Sequence, residues 1–317
     1  MDYQCKVCKN KENNTAFTAK EMQHGTRDCF TYIECNNCGC LQIEEIPSNM
    51  ADYYPSDYYS YNIKKSSREK IDSFLSSLII NYRVNKKNLL GGLYDKYRRK
   101  YRNRHLFSWL AKDICSFDSD IIDIGCGNGD LLLKMHQAGF KSLTGVDPYI
   151  SESIDYFGKI AIHKKEVYEI TRKYDLVMLH HSFEHMQDPS QVLSHLSKIL
   201  KKDGTILIRI PVADCFAYRK YGANWVALDA PRHFFLHTRK SMELLAKENR
   251  LTISRVLYDS EERQFILSDF CKKDVPFVSI DWKSVDKKIL QNYLKDAIEL
   301  NRKEDGDSAC FLLKKNL

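Results

Sequence analysis

A glycine-rich turn between a short apolar run and a helical run most constrains how this chain can fold. Gly125, Gly127 and Gly129 alternate with other residues directly after the apolar run 120–124 and before the helical spacing of 130–133. Glycines at alternate positions let the backbone turn sharply and let a ligand approach the main chain at a helix start. The spacing is GxGxG, whereas most dinucleotide-binding folds have GxGxxG. The turn therefore predicts a strand, a turn and a helix, and by itself it is weak evidence for a ligand.

Apolar runs and helical stretches alternate from residue 120 to the C-terminus. This alternation predicts an α/β fold with a Rossmann-like parallel sheet wound on both faces. Seven strands are predicted, at 120–124, 143–147, 160–163, 175–179, 205–210, 252–258 and 309–315. Helices are predicted at 129–138, 151–157, 189–200 and 240–248.

The second predicted strand ends at an acidic residue, Asp147, which Pro148 follows. An acid at this place can accept hydrogen bonds from two ribose hydroxyls, as in nucleotide-binding sheets. The glycine turn and Asp147 together indicate a nucleotide-like ligand more strongly than either does alone.

The N-terminal 46 residues form a cysteine-rich unit. Six of the eleven cysteines fall in the first 40 residues, and the sequence shows no export signal that would favour disulfides. Two Cys-x-x-Cys turns can supply four thiolates to a tetrahedral site, so we predict a small zinc-ribbon unit with one structural Zn²⁺. The predicted ligands are Cys5, Cys8, Cys35 and Cys38, with Cys29, Cys40 and His24 as alternative ligands.

Positive charge is concentrated in one segment. Residues 64–104 hold thirteen basic and three acidic residues, a net charge of +10 within a chain of net charge +7. Such a patch favours an anionic partner, which would be a phosphorylated substrate, a nucleic acid or a membrane surface, and a solvated helix face explains it equally well. Helical spacing covers 64–112, and Gly91-Gly92 is expected to divide it into two helices.

These features divide the chain into three parts. We predict a zinc unit at 1–46, an aromatic connector with a basic helical segment at 47–112, and a catalytic domain at 113–317. The longest apolar runs are a few residues, so neither a signal peptide nor a membrane span is expected, and we expect a cytoplasmic protein.

From residue 105 onward the sequence resembles the class I S-adenosylmethionine-dependent methyltransferases. The stretch 123–129 resembles the first motif of that family, and 174–179 resembles its fourth strand. The stretch 183–189 is similar to its Glu-His-x-x-Asp-Pro segment, and 200–211 resembles the turn and strand that follow. The resemblance implies that the family's sheet and its S-adenosylmethionine cofactor are present here.

The resemblance also implies which residues hold the cofactor. Asp123 belongs to the first motif, Gly125 and Gly127 would line the methionine part, and Asp147 would bind the ribose. The resemblance further implies that Glu166 and Val167 flank the adenine. It implies that His180 and His181 lie under the sulfonium.

A zinc unit and a tyrosine-rich connector before such a domain resemble bacterial sugar methyltransferases. These include nucleotide-deoxysugar 3-C-methyltransferases and enzymes from surface-polysaccharide clusters. The former carry a further C-terminal domain, which we do not expect after the strand 309–315, and we therefore favour methylation of oxygen over carbon. The resemblance implies no catalytic metal.

The stretch 221–237 is similar to the Trp-x-x-x-Asp-x-Pro-Arg-His segment of the polysaccharide-cluster enzymes. It follows the fifth strand, where loops cover the ligand site of such sheets. We predict that Trp225 stacks on a sugar, that Arg232 pairs with phosphate and that His237 contributes to substrate binding. His233 is the predicted base, because an imidazole can take up a hydroxyl proton near neutral pH. The competing candidates for the base are His181, Glu184 and His185.

We expect methyl transfer from S-adenosylmethionine to a hydroxyl of a small anionic sugar or nucleotide-sugar in surface glycan biosynthesis. The alternatives are a sugar C-methyltransferase, an RNA methyltransferase that binds through the zinc unit and basic segment, and a partner-docking scaffold that keeps the fold. Nucleic acid is the less expected partner. The sequence leaves open the sugar, the position methylated and the oligomeric state.

Overall fold

A computed structural model describes residues 3–54, 67–86, 88–101, 107 and 109–316, and for 67–73 and 98–101 it describes the backbone only. The connector has five tyrosines between residues 53 and 61, and those at 58, 59 and 61 lie outside the described ranges. The basic residues at 64, 65, 87, 102 and 104 also lie outside the described ranges. The predicted role of the basic segment therefore depends mostly on side chains that the structure does not describe.

The described residues form twelve strands and eight α-helices. The strands are β1 (Thr15–Lys20), β2 (Cys29–Glu34), β3 (Leu41–Ile43), β4 (Asp120–Ile124), β5 (Ser142–Val146), β6 (Ile154–Tyr156), β7 (Ile160–His163), β8 (Tyr174–His180), β9 (Leu200–Pro211), β10 (Phe235–Leu236), β11 (Leu251–Tyr258) and β12 (Ser308–Lys315). The helices are α1 (Ser67–Asn85), α2 (Leu89–Tyr101), α3 (Asp130–Ala138), α4 (Pro189–Ile199), α5 (Phe216–Tyr221), α6 (Arg239–Glu248), α7 (Arg263–Lys272) and α8 (Lys287–Arg302).

The main sheet has eight strands in the order β11-β12-β9-β8-β4-β5-β7-β6. Strands β7, β5, β4, β8 and β9 are parallel to their neighbours in this series, which confirms the α/β, Rossmann-like fold and the seven predicted strands. β12 is antiparallel to both β9 and β11, so the sheet is mixed where the sequence predicted a parallel one. The parallel strands direct their carboxyl ends to one edge, which is where ligands bind in such sheets.

The helix predicted at 151–157 was wrong, because the edge strand β6 occupies this place. Ile154, Asp155 and Tyr156 alternate between apolar and polar, which is the period of a strand. β6 pairs antiparallel with β7, and Phe157 and Gly158 both have positive φ in the tight turn that joins the two strands. The sequence prediction also lacked α5, and it lacked α7 and α8, which lie between β11 and β12.

The Gly91-Gly92 pair does not divide the helical segment as expected. Both glycines lie inside α2, and the break falls between α1 and α2. A Cβ at Gly91 would come 2.0 Å from the Leu78 carbonyl oxygen, and one at Gly92 would come 2.6 Å from the Tyr82 ring. The glycines therefore allow α1 and α2 to pack closely.

The cysteine-rich unit shares a sheet with the catalytic domain. β1 and β2 form an antiparallel hairpin, β3 pairs with β2, and β10 from the segment after β9 pairs with β3. The hydroxyl of Tyr32 on β2 also donates a hydrogen bond to the carbonyl oxygen of His233, at 2.8 Å. The N-terminal unit is thus packed onto the loop that carries the predicted acceptor residues.

Within the residues that the structure describes, no helix combines the length and the apolar character needed to cross a membrane.

Candidate active site

The glycine turn packs directly on the segment that follows β8. Gly125 has φ +73°, and a Cβ there would lie 2.4 Å from the Cβ of Ser182. The Ser182 hydroxyl donates to the Ile124 carbonyl oxygen at 2.7 Å, which fixes this contact. Gly129 has φ +79°, and a Cβ there would lie 2.6 Å from Ile162. Both positions therefore require glycine, because a side chain at either would meet a neighbouring residue and the backbone has positive φ.

Asp147 lies at the carboxyl end of β5, where its carboxylate is oriented by two backbone groups. The Gly127 N–H donates to Oδ2 and the Tyr149 N–H donates to Oδ1, each at 2.9 Å. Burial raises the pKa of Asp147, and these N–H groups oppose that shift because they stabilise the charged form. The carboxylate is therefore held against the glycine turn, and its contact with a ribose stays a prediction.

Asp123 lies under the same turn and is a second buried carboxyl group. Burial, with the nearby charge of Asp147, raises its pKa to about 8. Its Oδ1 has no hydrogen-bond partner among the described residues. A buried polar atom without a partner is costly, so Asp123 is a candidate for a contact with a ligand.

The predicted adenine and sulfonium residues occupy different environments. Val167 is buried, whereas Glu166 is exposed at the start of the 3-10 turn 167–169. Burial raises the pKa of Tyr149, and the nearby Glu166 adds to this shift. The ring of His180, at the end of β8, is half-buried with its centroid 4.8 Å from that of Trp109, and desolvation lowers the pKa of His180.

Three of the predicted catalytic residues meet in one place, and we call Glu184, His185 and His233 the His-carboxylate cluster. One nitrogen of each ring and one carboxylate oxygen lie within 4.8 Å of one another. Nδ1 of His185 is 2.8 Å from the Arg232 carbonyl oxygen, and Nδ1 of His233 is 2.7 Å from that of Ala227. Because a carbonyl only accepts, each Nδ1 carries a proton, and each neutral ring keeps its lone pair on Nε2.

The His-carboxylate cluster carries buried negative charge. Burial opposes ionisation of Glu184, but His181, His185 and His233 outweigh it and lower its pKa to about 2. For Asp229, burial is likewise outweighed, by the charge and hydrogen bonds of Arg232, and its pKa falls to about 2. Nε2 of His233 lies 3.9 Å from the Glu184 carboxylate and 3.7 Å from that of Asp229.

His181 lies at the rim of this cluster. Its side chain is 45% exposed, and its Nδ1 is 3.4 Å from the Glu184 carboxylate. Its Nε2 contacts the guanidinium of Arg209, whose Nε is 2.7 Å from the Asp259 carboxylate. The structure therefore brings all four candidates for the base to the same edge of the sheet.

The three predicted substrate-binding residues lie in the interior, which corrects their expected roles. Trp225 is 1% exposed and donates its indole N–H to Asp307 at 3.1 Å, so its ring is not a surface for stacking. Arg232 is fully buried, and Asp229 and Glu21 pair with its guanidinium, so it is not offered to a phosphate.

His237 also lies in the interior, where its contacts are with other residues of the chain. It is fully buried, and burial lowers its pKa to about 3. Its ring stacks between Phe183 and Phe235, and its Nδ1 is 3.2 Å from the Ser241 hydroxyl. His237 therefore braces the loop, where the sequence predicted a contact with substrate.

The four predicted thiolates converge at the tip of the N-terminal unit. The Sγ atoms of Cys5 and Cys38 are 3.7 Å apart, and those of Cys8 and Cys35 are 3.4 Å apart. All four lie within 4.8 Å of one another, and the alternative ligands Cys29, Cys40 and His24 are not in this group. Tetrahedral Zn²⁺ with bonds of about 2.3 Å holds its sulfurs about 3.8 Å apart, so the thiolates fit this ion.

The sequence analysis missed residues that complete the site. Asp229 had appeared only as part of a motif, although it pairs with Arg232 and faces His233. Tyr54, from the connector, stacks on Tyr149 at 6.3 Å, and its hydroxyl is 3.3 Å from Nδ1 of His185. A connector rich in tyrosine was the available signal, but it does not specify which ring reaches the site.

Comparison with known proteins now identifies the family. A family model described as a methyltransferase domain matches residues 94–255, just over half of the 317-residue chain. The chain belongs to this methyltransferase family. The glycine turn and Asp147 both lie within the matched residues.

Curated relatives match the methyltransferase over short stretches. A tRNA U34 carboxymethyltransferase from Sulfurimonas denitrificans is 26% identical over 121 residues, which are 34% of this chain and 40% of that protein. EEF1A lysine methyltransferase 2 from Homo sapiens is 36% identical over 55 residues, 17% of this chain and 23% of that protein. The chain thus spans less than half the length of these relatives. A solved SAM-dependent methyltransferase from Archaeoglobus fulgidus is 18% identical, with a TM-score of 0.42, and the match covers 70% of this chain and 99% of that one.

The described residues of the methyltransferase fit the cofactor that its family implies. Gly125, Cys126 and Asn128 of the turn are partly exposed at the start of α3. Asp147 keeps acceptor capacity beyond its two backbone contacts, since a carboxylate has about four lone-pair sites. The unpartnered Oδ1 of Asp123 adds a buried polar group that a ligand can satisfy.

Proposed function

We propose that the methyltransferase transfers a methyl group from S-adenosylmethionine to a hydroxyl of a sugar or nucleotide-sugar. The observation that carries the proposal is the lone pair on Nε2 of His233, next to Glu184, at the same sheet edge as the glycine turn. The donor supplies a methyl group that is already activated on its sulfonium. The chain then has to align the acceptor and remove its proton.

A hydroxyl acceptor is favoured because its proton is hard to remove at neutral pH, and this site offers a proton acceptor. His233 takes the proton on Nε2 while its Nδ1 stays bound to the Ala227 carbonyl, so the ring does not turn. The carboxylates of Glu184 and Asp229 stabilise the imidazolium that forms, as the acid does in a catalytic triad.

The same carboxylates determine how an anionic acceptor is oriented. Glu184 and Asp229 repel a phosphate, so the sugar end of a nucleotide-sugar faces the cluster and its phosphates lie away from it. Arg232 has no part in this binding, since its charge is held by Asp229 and Glu21.

On the donor side, the turn and two acids hold the cofactor. The main chain at Gly125 and Gly127 lies against the methionine part, and Asp147 accepts hydrogen bonds from the ribose. Protonated Asp123 remains uncharged below its raised pKa and can donate a hydrogen bond.

The four thiolates form a structural zinc site in this proposal. Cys5, Cys8, Cys35 and Cys38 complete a tetrahedral set and leave no position for a substrate. The ion's role is to hold the N-terminal unit, which in turn holds the loop of His233.

An RNA acceptor is the second candidate. It is favoured by the match to a tRNA U34 carboxymethyltransferase, 26% identical over 121 residues, and by the net charge of +10 in residues 64–104. Labelled S-adenosylmethionine offered with a panel of nucleotide-sugars and with bulk tRNA separates the two candidates. Transfer to tRNA with none to any sugar would reject the sugar proposal.

His233→Ala tests the assignment of the base. We expect turnover to fall by about 100-fold or more, since general bases contribute about 10²–10⁴. S-adenosylhomocysteine should bind this variant with unchanged affinity in calorimetry. The matched control is His136→Ala on α3, whose Nδ1 also lies near a backbone carbonyl, that of Phe140 at 3.3 Å. Wild-type turnover in His233→Ala would transfer the role to His185 or His181.

A further inference from the structure

We propose that Glu184, His185 and His233 form a binding site for a divalent first-row transition-metal ion, separate from the four-cysteine site. This site would be the second metal centre of the chain. It goes beyond the proposed function, because ion binding requires neither donor nor acceptor.

The cluster is a set of acceptors that face one another. Nε2 of each ring keeps a lone pair, since both Nδ1 atoms donate to backbone carbonyls. Both carboxylate oxygens of fully buried Glu184 lack a hydrogen-bond partner among the described residues. The Nε2 of His233 and a carboxylate oxygen of Glu184 are 3.9 Å apart. Their lone pairs repel each other unless a cation or a proton lies between them.

The Nδ1 atoms of His185 and His233 make the kind of hydrogen bond that metal-binding histidines usually make. A histidine that binds a metal through one nitrogen usually donates the other N–H to a carbonyl or carboxylate, which fixes the ring. His185 and His233 both do so, at 2.8 and 2.7 Å, to the carbonyls of Arg232 and Ala227. Two rings held in this way, with planes 69° apart and centroids separated by 4.8 Å, present preset donor atoms.

The carboxylates around the cluster outnumber the positive charges near them, which favours binding of a cation. Glu184, Asp229 and Glu21 are three buried or nearly buried carboxylates, and Arg232 supplies one buried positive charge near them. If the imidazoles are neutral, two negative charges remain without compensation. A divalent ion supplies the missing charge.

The donor set indicates the class of ion. Two imidazoles and one carboxylate suit Zn²⁺ or Fe²⁺, and a three-residue set leaves coordination positions open. With bonds of about 2.1 Å, a tetrahedral ion holds its ligand atoms about 3.4 Å apart. The Nε2 of His233 and the Glu184 carboxylate therefore need to approach by about half an ångström from 3.9 Å, and pairs of ligand atoms up to 4.8 Å apart need to approach by up to about 1.4 Å.

An ion here would change how the proposed reaction loses its proton. A hydroxyl bound to a divalent cation has a lowered pKa. While an ion is bound, the Nε2 of His233 is its ligand, so the proton transfer to His233 that is proposed above belongs to the ion-free site. Because the cluster contacts Tyr54 and lies beyond the end of β8, the ion would sit at the acceptor side of the sheet.

Metal stoichiometry and Co²⁺ spectroscopy test the site on the full-length protein without a histidine tag. After equilibrium dialysis against Zn²⁺, we expect two equivalents in the wild type and in His136→Ala. Glu184→Gln and His233→Ala should each keep one, with affinity for the second ion reduced by about 100-fold or more. With Co²⁺, the first equivalent should give thiolate-to-metal absorption, and the second should add only weak d–d bands.

Each result decides the proposal. One equivalent in the wild type, all of it bound to thiolates, overturns it regardless of how the variants fold. Two equivalents that persist in both variants would also overturn it, because the second ion would lie elsewhere. Since no methyl transfer is measured, failure of the proposed function leaves this outcome unaffected.

Discussion

In the proposed active site, the donor half (the glycine turn and Asp147) and the acceptor half (Glu184, His185 and His233 with the loop 225–237) are held by contacts that span different lengths of chain. On the donor side, the contact between Gly127 and Asp147 joins residues 20 positions apart, within one strand-helix-strand unit. On the acceptor side, Tyr32 reaches His233 across 201 positions, and Glu21 reaches Arg232 across 211. The donor half is held by contacts among residues 123–182, whereas the acceptor half depends on the N-terminal unit. Changes to that unit should disable one half and spare the other.

The largest expected effect is from Cys38→Ser, which removes one thiolate. Structural zinc sites contribute about 10–16 kcal/mol of apparent binding free energy, so the N-terminal unit should lose its fold. The Cys38 carbonyl also accepts from the Thr238 hydroxyl at 2.5 Å, next to the acceptor loop. We expect thiolate-bound zinc and methyl transfer to be lost, as measured by metal analysis and turnover.

The donor half should survive this change. Affinity for S-adenosylhomocysteine should stay within about threefold of the wild type, since the contacts of the glycine turn and Asp147 described above lie outside the N-terminal unit. Cys29→Ser is the matched control, because Cys29 is exposed and lies outside the thiolate cluster. Equal loss of donor and acceptor function would show that the halves are not independent.

The next effect is from Arg232→Met, which removes a buried guanidinium. Glu21, whose carboxylate is 3.3 Å from it, and Asp229 would remain buried without their partner. Breaking one side of a buried pair costs about 3–5 kcal/mol, and we expect the free energy of unfolding in urea to fall by this amount.

A surface ion pair provides the control for this variant. Arg239 pairs with Glu243 at 3.2 Å, and both side chains are about half exposed. Arg239→Met should cost less than about 1 kcal/mol. If Arg232→Met is as stable as Arg239→Met and only raises the acceptor KM, the original assignment of Arg232 to a phosphate would stand.

The difference between the halves also explains what the sequence could predict. The glycine turn and Asp147 were found because strand, turn and helix follow one another, and so their spacing carries the geometry. The thiolate pairs were found for the same reason, since each Cys-x-x-Cys turn is local.

Trp225, Arg232 and His237 were placed wrongly because residue type does not reveal burial. An aromatic ring and two cations in a loop suggest substrate contacts, until the partners Asp307 and Glu21 are known. These partners come from distant parts of the chain, so no local sequence pattern predicts the contacts with them. The strand β6 was missed for a different reason: three residues are too few for either period to dominate.

A smaller effect is expected from the pH dependence of the donor half. The folded-state pKa of Asp123, about 8, is above the ordinary value near 4. Between these values the folded protein holds a proton that the unfolded chain releases, so stability should fall as pH rises, by at most about 1.4 kcal/mol per unit.

Asp123→Asn tests this shift, because the amide cannot ionise. We expect the urea unfolding free energy of the variant to vary less between about pH 5.5 and 7.5 than that of the wild type. Asp118→Asn, on the exposed turn before β4, is the control and should keep the wild-type slope. Parallel pH profiles for wild type and Asp123→Asn would show that Asp123 is not protonated in the fold.

The smallest expected effect concerns Asp147, and it tests whether the donor half is as self-contained as its local contacts suggest. Asp147→Ala removes the proposed ribose acceptor and also the partner of the Gly127 and Tyr149 N–H groups. Losing charge-assisted hydrogen bonds should weaken S-adenosylhomocysteine about tenfold in calorimetry. Asp155→Ala, which changes an exposed acid on the edge strand β6, should leave the affinity unchanged. If Asp147→Ala binds as the wild type does, the ribose lies elsewhere. If it instead loses zinc or acceptor-side stability, the two halves are coupled, and the contrast between them fails.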